Sequence, residues 1–180
     1  NSQDGVPFLT QPPIKPGQSY HYQYKLIQSG TFWLHTHFRL QEQKLLAAPF
    51  IIHNPNEQIS DQEVVIMLED FSFTSPRLIY KKLRCQNKIG MDSKSKMNMG
   101  SDINDVQYDA FLANERTLSD PQIVRVKPGT SVRLRIINAA ASSNFYIDVG
   151  QLDYDVIAVD GNPIKPIKLN PFELGMAQQG

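Results

Sequence analysis

The sequence predicts an all-β protein built as antiparallel sandwiches. Short stretches of alternating apolar and polar residues recur along the chain, separated by turns rich in Pro and Gly. No segment sustains a helical period. A Lys-Pro-Gly turn feeding an alternating strand occurs twice, at Lys15-Pro16-Gly17 and at Lys127-Pro128-Gly129. The offset, 127 − 15 = 112 residues, is about the length of one small β-sandwich domain. Two related units are therefore expected.

The elements follow in order. Residues 1–17 read as a Pro-punctuated loop. From Ser19 to Ile27, Tyr20, Tyr22, Tyr24 and Leu26 fall on one face and His21, Gln23 and Lys25 on the other, the pattern of a half-buried strand. Gln28-Ser29-Gly30 turns the chain into a strand containing Trp33, His35 and His37. Residues 38–47 form a loop or short helix, and Pro49 to His53 a further apolar strand. Composition changes at Asn54-Pro55-Asn56-Glu57, which reads as a linker. Glu63 to Phe71 opens the second unit as a buried strand. Residues 74–105 are polar, Lys-rich and expected to be irregular, with a mobile insertion around 81–105. Strands resume at Tyr108–Ala113, Ile123–Val126, Ser131–Asn138, Asn144–Val149, Asp155–Val159 and Phe172–Met176.

Charge and composition exclude some functions. With 180 residues the chain can bury a real core. Its 18 Lys plus Arg balance 18 Asp plus Glu, so bulk charge points to no nucleic-acid partner. No run of about 18 apolar residues exists to span a membrane. The polar start, Asn1-Ser2-Gln3-Asp4, does not read as a secretory signal, and an excised piece of a larger protein is the expectation. Cys85 is the single cysteine, which excludes an internal disulfide.

The chemistry concentrates at Gly30-Thr31-Phe32-Trp33-Leu34-His35-Thr36-His37. On a strand, residues two apart share a face, so Trp33, His35 and His37 point the same way, with the imidazoles roughly 6–7 Å apart at their bases. That spacing suits ligands of two neighbouring metal ions, or two arms closing on one. Copper, zinc, iron and nickel all accept imidazole, and a pair of ordinary strand histidines is the plainer alternative.

This stretch, with Gln41-Glu42-Gln43 and Ala48-Pro49-Phe50-Ile51-Ile52 after it, closely resembles the second histidine motif of the multicopper oxidases, nearest to their copper-resistance and laccase-like bacterial branch. Asp4-Gly5-Val6-Pro7 and Thr10 to Gly17 resemble the loop that precedes that motif. Val64–Asp70, Tyr108–Asn114, Val132–Ala139, Ile157–Gly161 and Phe172–Leu174 resemble segments of the family's second domain. The resemblance implies cupredoxin-like Greek-key sandwiches, one partial (residues 1–55) and one nearly complete and copper-free (residues 56–180). It implies that His35 and His37 each ligate one copper of the coupled, type 3 pair in a trinuclear cluster. Dioxygen is reduced there to water with electrons from a small reducing substrate, a phenol or a metal ion such as Cu(I). The fragment alone, lacking the other ligand motifs, is expected to be inactive. Ligation requires neutral imidazoles, so binding weakens in acid.

By the same resemblance Asp4 matches an acidic residue that helps deliver protons to reduced oxygen, chemistry that consumes protons; otherwise Asp4-Gly5 is simply a turn. Relatives are periplasmic or secreted. Trp33 reads as a core aromatic, His21 as exposed, His53 as structural and Cys85 as an ordinary thiol. Met91, Met97 and Met99 carry thioethers suited to Cu(I), though chance explains three methionines as well. Leu45 and Ala48 stand where glycines are usual in the family, and Arg39 where a small residue is common, which questions the local backbone. The competing function is a copper-free cupredoxin-like scaffold. Unpaired edges of a partial sandwich also lead us to expect self-association.

Overall fold

The computed structural model describes residues 3–57, 60–89 and 106–180, without the side chains of 86–89. In the first unit, β1 (Gly30–His35) pairs antiparallel with β2 (Ala47–Ile52), from Gly30 opposite Ile52 to His35 opposite Ala47. Thr31, Phe32, Trp33, Ile51 and Ile52 favour this pleated surface. The expected strand from Ser19 to Ile27 does not form. Tyr20, Tyr22, Tyr24, Leu26 and Ile27 are exposed, and this segment takes no place in a sheet. An alternating pattern becomes a strand only when a partner accepts its backbone bonds. The histidine strand is also shorter than expected and ends at His35, so His37 lies just beyond it.

The second unit is organised around β3 (Gln62–Phe71), central in the order β4-β3-β5. β4 (Ala110–Ala113) pairs antiparallel with it. β5 (Val132–Asn138) pairs in parallel, from Gln62 opposite Val132 to Leu68 opposite Asn138. This departs from the purely antiparallel expectation. The long connection between β3 and β5 supplies the crossover that parallel neighbours need. Two antiparallel pairs complete the unit: β6 (Phe145–Ile147) with β9 (Phe172–Leu174), and β7 (Val156–Val159) with β8 (Asn162–Ile167). β8 escapes the sequence reading because Pro163 and Pro166 interrupt it; it pairs on one side only, where proline is tolerated. The strand expected at Ile123–Val126 is absent from the sheets.

The region after β3 also departs from expectation. Residues 76–89 are helical, α1 (Pro76–Ile89), where irregular chain was expected. The signals were present: Ser75 precedes the helix with its hydroxyl 3.4 Å from the Leu78 amide, and Pro76 occupies the first turn. Ile79 and Leu83 then share one half-buried face. The rest of the expected insertion, residues 90–105 with Met91, Met97 and Met99, lies outside the described residues.

The core runs under the sheet and reaches the histidine strand. Met67, Ile137 and Ala139 are buried together, and Trp33, Ala47 and Val65 pack against them. Ile137 and Asn138 are fully buried. The Asn138 amide donates to the carbonyls of Ser143 and Leu174 and accepts from the Ala140 amide, at 2.9 to 3.0 Å. Asp70, also buried, accepts from the Ala141 and Ser142 amides and the Ser143 hydroxyl. These two side chains hold the turn after β5.

Candidate metal centre

Three aromatic rings stand in a row at the end of β1. Trp33 stacks on His35 with centroids 4.2 Å apart and planes 15° from parallel. His35 meets His37 at 4.6 Å and 41°. His35 is half-buried and His37 exposed, so the row runs from the core out to solvent. The rings thus face one another despite the early end of the strand.

The loop behind them is tied back onto itself. The Thr36 amide donates to the Leu46 carbonyl at 3.3 Å, and the Thr36 hydroxyl donates to the Gln41 side chain and accepts from the Phe38 amide. A single 3-10 turn, Glu42–Lys44, closes the loop. Arg39 and Leu45 sit at φ 56° and 61°. These left-handed conformations suit glycine and cost an L-residue roughly 1–2 kcal/mol each. The loop thus holds two L-residues in conformations that strain them. The turn brings Glu42 Oε2 to 3.4 Å from His35 Nδ1, a contact the sequence reading missed. Gln41-Glu42-Gln43 was its only trace.

The second unit carries the strand. Arg135, buried in β5, donates to the Thr31 hydroxyl at 3.1 Å and forms an ion pair with Glu63 at 2.8 Å. Glu57 bridges to Arg133 and lies 3.7 Å from Arg135. Gly30 and Gly161 meet face to face: a methyl on Gly30 would stand 2.6 Å from the Gly161 carbonyl oxygen, and one on Gly161 2.4 Å from the Phe32 ring. Only glycine permits that approach.

The remaining candidates scatter. Asp4 lies exposed in a bend, and no hydrogen bond or ion pair joins it to either imidazole among the described residues. His21 is exposed; His53 is exposed with its Nε2 3.9 Å from Glu63. Cys85 is an exposed thiol on α1. Glu69, buried in β3, has its carboxyl pushed up to about 7, first by burial and then by the charges of Glu115 and Asp70.

Among the described residues no group of three or more His, Cys, Asp or Glu side chains comes together to hold a metal. The imidazole pair suits copper chemically, as two ligands of a larger set.

A cupredoxin-like all-β chain whose first hairpin strand ends in paired imidazoles falls in the class of copper-handling β-sandwich proteins. Two family models described as multicopper oxidase match it, one over residues 1–57 and the other over residues 62–180. The chain belongs to the multicopper oxidase family, whose cofactor is copper. It is 31% identical to the multicopper oxidase MmcO of Mycobacterium tuberculosis, over 99% of this chain and 38% of that protein. Against copper resistance protein A of Escherichia coli the identity is 30%, over 97% of this chain and 34% of the relative. The crystal structure of the laccase from Botrytis aclada superposes with a TM-score of 0.71 at 28% identity, covering 99% of this chain and 33% of the laccase. The chain spans about a third of the length of these relatives.

Proposed function

We propose that residues 1–55 are the later part of a first cupredoxin-like domain and residues 56–180 a copper-free second one. Together they form part of a multicopper oxidase, in which His35 and His37 hold the type 3 copper pair of a trinuclear cluster. The observation that carries this reading is the paired imidazoles, side by side at the solvent end of a strand in a chain of this family. Copper, when bound, supplies the redox chemistry that couples one-electron oxidation of a substrate to reduction of dioxygen to water. The protein's own part is to hold two neutral imidazoles in register, with Trp33 and the second unit fixing the nearer one. The reductant proposed is a phenol or a metal ion such as Cu(I); relatives are named as a copper resistance protein and a laccase. Asp4, on the loop before the histidine strand, is proposed as a proton relay. The compartment proposed is periplasmic or secreted; among the described residues no helix is long and apolar enough to cross a membrane.

Two imidazoles leave most coordination positions open, so this chain by itself is inactive in our reading. The test is to express the complete reading frame and the 180-residue chain side by side. Copper per chain, the ultraviolet band of a coupled copper pair, and oxygen uptake with a phenol or Cu(I) are measured on each. The reading expects all three in the complete protein and no oxygen uptake by the shorter chain. A complete protein without copper would favour a copper-free scaffold instead. The outer edges of the two-stranded β1–β2 hairpin also lead us to propose self-association of the isolated chain, for which a stable monomer in light scattering is the contrary result.

A further inference from the structure

We propose that Glu42 is a positioning residue that sets the tautomer of His35, so that Nε2 carries the lone pair offered to copper. This rests on the reading of His35 as a ligand. His35 Nδ1 is closed off from solvent and makes no well-aligned hydrogen bond; the group facing it is Glu42 Oε2, at 3.4 Å. An ionised carboxylate only accepts hydrogen bonds. A bare Nδ1 would set one lone pair against another in a half-buried place, so the proton belongs on Nδ1 and Nε2 is left free. A carboxylate behind a ligating imidazole orients the ring and raises its basicity, and removing such a partner costs about 10–100-fold in metal affinity.

The surroundings hold both partners in place. Stacking on Trp33 fixes the plane of the His35 ring. Glu42 is fixed by its turn, where the Lys44 amide donates to the Gln41 carbonyl and the Leu45 amide to the Glu42 carbonyl. The left-handed Leu45 ends that turn.

The experiment uses the metal-free 180-residue chain with ¹⁵N-labelled histidine. Long-range proton–nitrogen correlation reads which ring nitrogen is protonated, and Cu(II) titration follows the loss of the His35 and His37 ring signals. The expected wild-type result is a proton on Nδ1 of His35. In Glu42→Ala that preference disappears and the copper midpoint rises about 10–100-fold. Glu42→Gln keeps a carbonyl acceptor and retains the wild-type tautomer. A wild-type His35 protonated on Nε2 overturns the proposal without any variant, as does a Glu42→Ala chain with the wild-type tautomer. The expected tautomer in a chain whose ring signals ignore copper would support Glu42's hold on His35, while the reading of the pair as ligands is overturned separately, by a complete protein that holds full copper in His35→Ala and His37→Ala.

Discussion

The two units divide the work unequally. All four histidines lie in the first 53 residues, and the second unit contains none. Among the described residues, by contrast, the buried apolar ones all lie in the second unit: Met67, Leu112, Ile136, Ile137, Ala139, Ala140 and Leu174. The first unit places Trp33 and His35 on a two-stranded hairpin, with His37 just beyond it, and such a hairpin is marginal in water by itself. Its order is borrowed from Met67 and Ile137 beneath Trp33, from Arg135 on Thr31, and from the seam between Gly30 and Gly161. A unit without histidine thus supplies the floor on which the histidine strand of its neighbour lies.

The largest effect is expected at Asn138. Asn138→Leu leaves the Ser143 and Leu174 carbonyls and the Ala140 amide without their partner. Each buried polar group so stranded costs roughly 1–3 kcal/mol, so a loss of about 3 kcal/mol or more is expected in urea unfolding. Trp33, the single tryptophan, should report the loss by a red-shifted emission although it lies in the other unit.

Next in size is the effect of pH through Glu69. Its carboxyl is raised from 4.5 to about 7 in the folded chain, so the folded state binds the proton more tightly. The stability it contributes is complete below about pH 4.5 and is lost as pH rises through about 7, in total on the order of 3 kcal/mol. Urea midpoints measured from pH 5 to pH 8 should fall in the wild type, and Glu69→Gln should remove most of that slope.

A smaller break comes at the seam itself. Gly161→Ala, at φ 71° and with the Phe32 ring in its way, should cost about 1–3 kcal/mol. Trp33 emission should shift while the far-ultraviolet spectrum of the second unit stays unchanged. The smallest effect is a gain. Arg39→Gly relieves a left-handed residue but gives up the guanidinium over Phe38, so thermal unfolding should show a net gain of a few tenths of a kcal/mol.

Much of this was legible in the residues. Alternation at Val132–Asn138, the apolar run of β3 and the turn glycines located the sheet segments, because burial of one face imposes the period of two. The histidine pair was legible because two residues apart on extended chain means one side, and the rings keep that relation past the end of β1. What could not be read depended on distant partners. Ser19–Ile27 has the pattern of a strand and no sheet to join. β5 lies parallel to β3, which no local pattern encodes. The pairing of Glu42 with His35 arises from a turn closed by a left-handed Leu45, where the sequence offered only a departure from glycine. Helix α1 was the avoidable miss, since Ser75-Pro76 announced it.

The most direct measurement is the ultraviolet band of the coupled copper pair in the complete protein, with His35→Ala and His37→Ala compared against the unaltered chain. The account predicts that each substitution abolishes the band and lowers the copper content while Trp33 emission shows the two units still docked. Full copper and an undiminished band in both variants would contradict it.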